Sequence, residues 1–267
     1  MKVGYIEYLN SFPFWHDANA APVAGTQYIA STPAKLNSMV HQGLLDISAI
    51  SAYEYLSHQE EYSLLPDLCI NSQGHVRSVL LFSKAPLKEL SNSKIHLSSE
   101  SATSVNLLKI ILSENQILNN SYEALTPQHD LHACDSLLLI GDQALQFTSN
   151  EHAYVYDLAD QWNQLTSLPV VFALWVVRNQ SKLDFQKVKA VHQQLLGSRD
   201  HLKKDCNHYI TLIKKSHQNI PSDLSGYFNQ LDFHFHDKCK ESLLLYATKL
   251  HQLNLLPATT ELKYFEI

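Results

Sequence analysis

The stretch from Ile95 to Leu112, Ile-His-Leu-Ser-Ser-Glu-Ser-Ala-Thr-Ser-Val-Asn-Leu-Leu-Lys-Ile-Ile-Leu, constrains the fold more than any other. A short apolar run ends in small hydroxyl residues, and an apolar pattern at helical spacing starts directly after them. That order spells a strand, a tight turn and a helix with a Ser/Thr-rich first turn. The first amides of a helix have no intrahelical partner and the helix dipole adds positive potential, so this start could take a carboxylate without a cationic side chain. The same residues would also make an ordinary N-cap, and the rest of the chain must decide between the two.

Strands and helices alternate along the chain. Val3 to Glu7 reads as a strand, Pro33 to Val40 as a helix with Pro in its first turn and Gly43 beyond its end, and Leu45 to Ile50 as a second strand. A short helix at Ala52 to Ser57 follows, then strands at Leu64 to Ile70 and Val76 to Ser83, with a boundary at Pro86 to Asn92. A second unit repeats this logic: strand Lys94 to Leu97, helix Thr103 to Ser113, a linker, strand Ser136 to Ile140, a turn at Gly141-Asp142 and helix Gln143 to Phe147. Tyr154 to Leu158, a helix from Ala159 to Leu165 and a strand from Val170 to Val177 close it, and from Phe185 onward the pattern is helical. The expected architecture is α/β and two-lobed. Residues 1–83 with 176–267 form the first lobe and residues 84–175 the second, joined by two strands, with ligand held between strand ends and helix starts.

Composition narrows the function. The 267 residues carry a formal net charge of -6 and only three arginines among 20 basic residues, with no basic stripe, so nucleic acid is not an expected partner. No apolar run is long enough to span a bilayer, so no membrane association is expected. The start Met1-Lys2-Val3-Gly4-Tyr5-Ile6 enters a strand at once, which leaves no room for an export signal and makes a cytoplasmic location the expectation. Cys69, Cys134, Cys206 and Cys239 never form C-x-x-C and read as reduced thiols. Among 15 histidines, His234-Phe235-His236 could place two imidazoles on one strand face, but alternation with Phe233 and Phe235 turned inward explains it better, and no metal is expected.

An ordered set of short motifs then falls into place: Tyr8-Leu9-Asn10 with Pro13, Pro33-Ala34-x-Leu36-Asn37, Gly43-Leu44-Leu45-Asp46, Ile50-Ser51 with Glu54-Tyr55, and Leu65-Pro66-Asp67. It continues with Gly74-His75-Val76-Arg77-Ser78-Val79, Ser101-Ala102-Thr103-Ser104-Val105, Leu139-Ile140-Gly141-Asp142-Gln143, and Tyr156-Asp157-Leu158 through Trp162 to Leu168-Pro169-Val170. The set, spanning roughly residues 2 to 178, resembles the chorismate dehydratase family of the futalosine route to menaquinone. Three positions depart from its pattern: Ala49 replaces a common Pro, Ala52 stands where a second Ser often follows Ser51, and Ser167 replaces a usual Gly.

The resemblance implies a type II periplasmic-binding-protein fold closing over chorismate. It also implies loss of water to give 3-[(1-carboxyvinyl)oxy]benzoate, with no metal or organic cofactor. The motif residues are neutral donors, which hold carboxylates but cannot take a carbon-bound proton, so the substrate's own enolpyruvyl carboxylate is the implied base. Asn10 is the expected catalytic residue, polarising the leaving hydroxyl. Ser51, Ser78, Ser101, Thr103, Ser104, Gly141 and Asp142 are the expected substrate-binding set. Asp142 could instead cap the next helix, and Arg77 is expected to face solvent. Glu54 and Tyr55 are expected on a helix behind the site. Hand-off of product to the next pathway enzyme is a further expectation. Two rivals share the fold: a small-anion solute-binding protein, which would need an export signal, and the 1,4-dihydroxy-6-naphthoate synthase of the same route, which would place a catalytic His in the cleft. An effector-binding regulatory domain would bring a DNA-binding helix pair.

Overall fold

The computed structural model describes residues 1–180, 182–217, 223–258 and 261–267. One five-stranded sheet is built from β1 (Lys2–Ile6), β2 (Gln27–Ser31), β3 (Ile47–Ser51), β4 (Tyr62–Ser72) and β10 (Val170–Arg178), in the order β2-β1-β3-β10-β4. The other holds β5 (Val79–Ser83), β6 (Lys94–Leu97), β7 (Ser121–Ala124), β8 (Ser136–Ile140) and β9 (Tyr154–Asp157), in the order β7-β6-β8-β5-β9. Three parallel strands open each sheet, and the strand that arrives from the other half of the chain lies antiparallel between the third strand and the edge: β10 beside β3 and β4, β5 beside β8 and β9.

This swap corrects the lobe boundaries read from sequence. β5 lies in the second sheet and β10 in the first, so neither 83/84 nor 175/176 is a joint. We place the crossings in residues 73–78 and in the turn Ser167-Leu168-Pro169. The unassigned stretch after Asn10 holds α1 (Phe12–Ala20) and β2, and the stretch read as a linker holds β7. Both strands are short edge strands without a clean apolar alternation, which is why periodicity passes over them.

Helices α2 (Pro33–His41), α3 (Ala52–Ser57), α4 (Ala102–Glu114), α5 (Gly141–Gln146) and α6 (Leu158–Thr166) connect the strands, and α7 (Phe185–Lys204), α8 (Cys206–Ser216), α9 (Leu224–Gln230) and α10 (Asp237–Gln252) form the helical tail. α10 packs on β10 and α4, so the tail touches both lobes. Its Tyr246 hydroxyl donates to the Thr103 carbonyl at 3.0 Å, and Trp162 of α6 donates to Ser242 at 3.0 Å. The 231–236 segment is extended and joined to β4 by a single bridge, Asn71 to Asp232, rather than forming a strand. Its alternation is as expected, with Phe233 and Phe235 buried and His234 exposed.

Candidate functional site

Between the lobes lies a cavity with an empty volume of about 520 Å³. Asn10, Ser51, Ser78, Ser101, Ser104 and Gly141 all line it, beside an apolar wall that includes Ile6, Ile70, Val79, Ile140 and Phe172. Each polar residue sits where the chain leaves a sheet. Asn10 follows β1 in a 3-10 turn, Leu9–Ser11, and Ser51 ends β3 as the N-cap of α3. Ser101 is the N-cap of α4, and Gly141 opens α5 directly after β8. Ser78 lies in the crossing segment one residue before β5, not within a strand as expected.

The hydroxyl protons are directed by what the oxygens already accept. Ser51 Oγ accepts from the Glu54 amide at 3.2 Å and from Asn37 Nδ2 at 3.0 Å. Both lone pairs are occupied, so the remaining valence is an O–H donor facing the cavity. Ser78 Oγ accepts from the buried Tyr227 hydroxyl at 3.2 Å, which again leaves its proton to be donated. Ser101 Oγ accepts from the Ser104 amide at 3.2 Å and lies 2.9 Å from Ser104 Oγ, so that pair shares one hydrogen bond and keeps one proton for a ligand. Capping by Ser101 also leaves the first-turn amides of Ala102 and Thr103 without partners among the described residues.

Two expected residues stand elsewhere. Thr103 is buried, but its hydroxyl accepts from the Tyr53 amide at 3.0 Å and does not line the cavity; only its backbone can face a ligand. Asp142 does not line the cavity either. Its Oδ1 accepts from the Leu9 amide of the opposite lobe at 3.1 Å, so it neither touches the site nor caps α5. Burial, first of all, pushes the Asp142 carboxyl up, with the Leu9 hydrogen bond acting the other way. Arg77 has φ of 64° and pairs with Asp223 at 2.9 Å, away from the cavity. Glu54 and Tyr55 lie on α3 behind the site, as expected.

Tyr8 is the residue sequence reasoning passed over. Its ring lines the cavity, and its hydroxyl donates to Glu100 across the lobes. Burial and the Glu100 hydrogen bond raise its pKa far above the ordinary phenol value, so it remains neutral. A Cβ on Gly141 would come within 2.9 Å of that ring, so glycine is what lets the lobes meet here. Tyr8 was within reach of sequence reading as a neighbour of Asn10 after β1. Tyr227, in the helical tail, carried no signal at all. No His, Asp, Glu, Lys or Arg lines the cavity among the described residues.

Comparison with known proteins places the fold first. The chain superposes on the alkanesulfonate-binding protein of Xanthomonas axonopodis bound to MOPS with a TM-score of 0.71 at 15% identity, covering 96% of this chain and 94% of that one. The fold is thus that of the periplasmic binding proteins, two α/β lobes around a central cleft. The sequence then gives the family: residues 1–252 match the menaquinone biosynthesis family model, and the chain belongs to that family. It is 34% identical to the chorismate dehydratase of Thermus thermophilus over 208 residues, 72% of this chain and 74% of that protein. It is 26% identical to the chorismate dehydratase of Campylobacter jejuni over 262 residues, 96% and 100% of the two chains.

Proposed function

We propose that this protein is a chorismate dehydratase, a hydro-lyase that converts chorismate to 3-[(1-carboxyvinyl)oxy]benzoate and water. The observation that carries the reading is the donor set of the cavity. It offers several directed O–H and N–H donors, an apolar wall for the ring, and no ionisable side chain except the neutral Tyr8. Such a site suits a dianionic substrate that brings its own base. The α4 start and the Ser51 and Ser78 hydroxyls would hold carboxylates by charge-assisted hydrogen bonds.

The reaction removes the ring hydrogen from the carbon bearing the enolpyruvyl ether and expels the neighbouring hydroxyl as water. The C–H pair becomes a ring π bond, and the product is a benzene, so the step is strongly downhill. What the protein must supply is orientation and exclusion of water. In this reading Asn10 holds the departing hydroxyl, and the enolpyruvyl carboxylate, free of any cation, takes the ring proton and passes it to that hydroxyl, which leaves as water while the C–H electron pair becomes the ring π bond. The naphthoate-synthase alternative loses support, because no histidine lines the cavity among the described residues.

Incubating purified protein with chorismate, and following the aromatic product by ultraviolet absorbance and mass, tests the assignment. Tight binding of chorismate without turnover would sink it in favour of an anion-binding protein. We further expect the rate to survive exhaustive dialysis against EDTA; loss of activity restored by a divalent ion, with the melting temperature unchanged by that ion, would overturn the substrate-assisted route.

A further inference from the structure

Next to the cavity, with which it shares Ser101, a groove with an empty volume of about 1380 Å³ runs between α2 and α3 on one side and β6, α4 and β7 on the other. His41, Glu54 and His58 line it, and each offers a ligand atom within 4.8 Å of the others. The helices make this cluster. Glu54 and His58 are four residues apart on α3 and its C-cap, hence on one face, and His41 is the last residue of α2 beside them. The two imidazole rings lie 4.6 Å apart.

We propose that His41, Glu54 and His58 form a binding site for one divalent transition-metal ion of the zinc class. Two imidazoles and one carboxylate are a donor set that suits such ions, and the partial exposure of both histidines leaves water free to complete the coordination. Supporting contacts are in place. Glu61 Oε2 lies 3.3 Å from His41 Nδ1, and the Tyr62 hydroxyl donates to Glu54 Oε1 at 3.0 Å, so one imidazole and the carboxylate are held by neighbours. Glu54 and Glu61 have no Lys or Arg partner within salt-bridge distance among the described residues; their partners are the two imidazoles, His58 Nδ1 at 3.1 Å from Glu54 Oε1 and His41 Nδ1 at 3.3 Å from Glu61 Oε2.

A second cluster, His96, Glu123 and His129, shows what an occupied version looks like. There Lys94 Nζ sits 2.9 Å from Glu123, and His129 Nδ1 accepts from the Thr126 amide at 3.1 Å. A ring nitrogen is engaged in both clusters, but here an ammonium also sits on the carboxylate, which Glu54 lacks, so this cluster serves as the internal control. None of the three residues lines the cavity, but they join α2 to α3, and Asn37 of α2 is hydrogen-bonded to Ser51, the N-cap of α3 that does line it. An ion there braces α2 against α3.

Calorimetric titration of EDTA-dialysed, metal-free protein with Zn²⁺ tests this, with Co²⁺ as a visible-absorption probe. The double variant His41→Ala/His58→Ala should bind one equivalent fewer than wild type and lose the zinc-dependent rise in melting temperature. The pair His96→Ala/His129→Ala should keep both. Glu54→Gln, which retains an acceptor for Tyr62, should weaken binding about tenfold or more. Circular dichroism checks that the half-exposed histidine substitutions leave the fold intact. Equal zinc uptake by wild type and the His41/His58 variant, or no uptake by wild type with zinc in large excess over protein, overturns the proposal.

Discussion

In the first lobe the cavity is met by side chains braced from behind: Ser51 is held by Asn37 and Glu54, and Asn10 stands in a turn next to Ser11. In the second lobe it is met by the start of α4, with its hydrogen-bonded Ser101 and Ser104 hydroxyls, and by the bare Cα of Gly141. Yet the two sheets share one strand plan, and the positions correspond. Asn10 follows β1 as Ser98 to Ser101 follow β6, and Ser51 ends β3 as Gly141 follows β8. One fold plan thus presents two kinds of surface to the cavity, an amide and a hydroxyl side chain on one side and a helix start on the other. For the proposed reaction this division is reasonable, because holding carboxylates needs diffuse positive potential while polarising one hydroxyl needs a single aimed group.

The comparison breaks most readily at Gly141. It has φ of 58°, and an added Cβ meets the Tyr8 ring, which is itself tied to Glu100. Gly141→Ala should lower kcat/KM about 100-fold by keeping the lobes apart, since a misplacement near 1 Å costs about that much. Trimming the ring as well, in Gly141→Ala with Tyr8→Ala, should recover part of it. Wild-type kinetics in the single variant would show that the second lobe does not need its bare backbone. The first lobe is tested by Asn10→Ala, for which kcat should fall about tenfold or more with circular dichroism unchanged. An unaltered kcat would leave Asn10 as a turn residue only.

How much of this was legible depended on locality. Ser101 and Gly141 were readable because caps and turns are local in sequence, and the alternation of elements followed from periodicity alone. The swap of β5 and β10 between sheets was not, because strand pairing is set by tertiary contacts that a single-strand pattern does not encode. For the same reason the sequence places the Thr103 and Asp142 side chains among the ligand contacts, whereas their partners in the structure, Tyr53 and Leu9, lie 50 and 133 residues away. Ser167 shows the opposite case. It stands where the resembling family usually has Gly, and the structure gives it φ of 61° at the end of α6.

Thr103 now separates structure from binding. Thr103→Val leaves the Tyr53 amide buried without its acceptor and should cost about 1–3 kcal/mol of stability in urea titration. Product binding by calorimetry should stay as in wild type, because the helix amide is unchanged. Weakened binding with unaltered stability would return the hydroxyl to the site. Ser167→Gly should do the reverse to stability, adding about 1 kcal/mol by relieving a left-handed non-glycine residue. A lower melting temperature in that variant would refute the strain at this joint.

The smallest effect concerns Asp142, the second lobe's reach into the first. Its carboxyl is pushed up from the ordinary carboxylate value, mainly by burial, so the folded protein holds this proton more tightly than the unfolded chain does. The favourable contribution is therefore complete below the ordinary carboxylate range and is lost as pH rises through the raised folded value. Above that value the side chain is a charged group kept in a poorly solvated place. Asp142→Asn retains a carbonyl oxygen for the Leu9 amide and removes the charge. The variant should be more stable than wild type at pH 7, and the gap should close as the pH falls through the raised folded value into the ordinary carboxylate range. Thermal melts of both proteins across that range decide the matter. A gap that does not change with pH, or a variant less stable at pH 7, would mean that the Asp142 charge itself holds the lobes together.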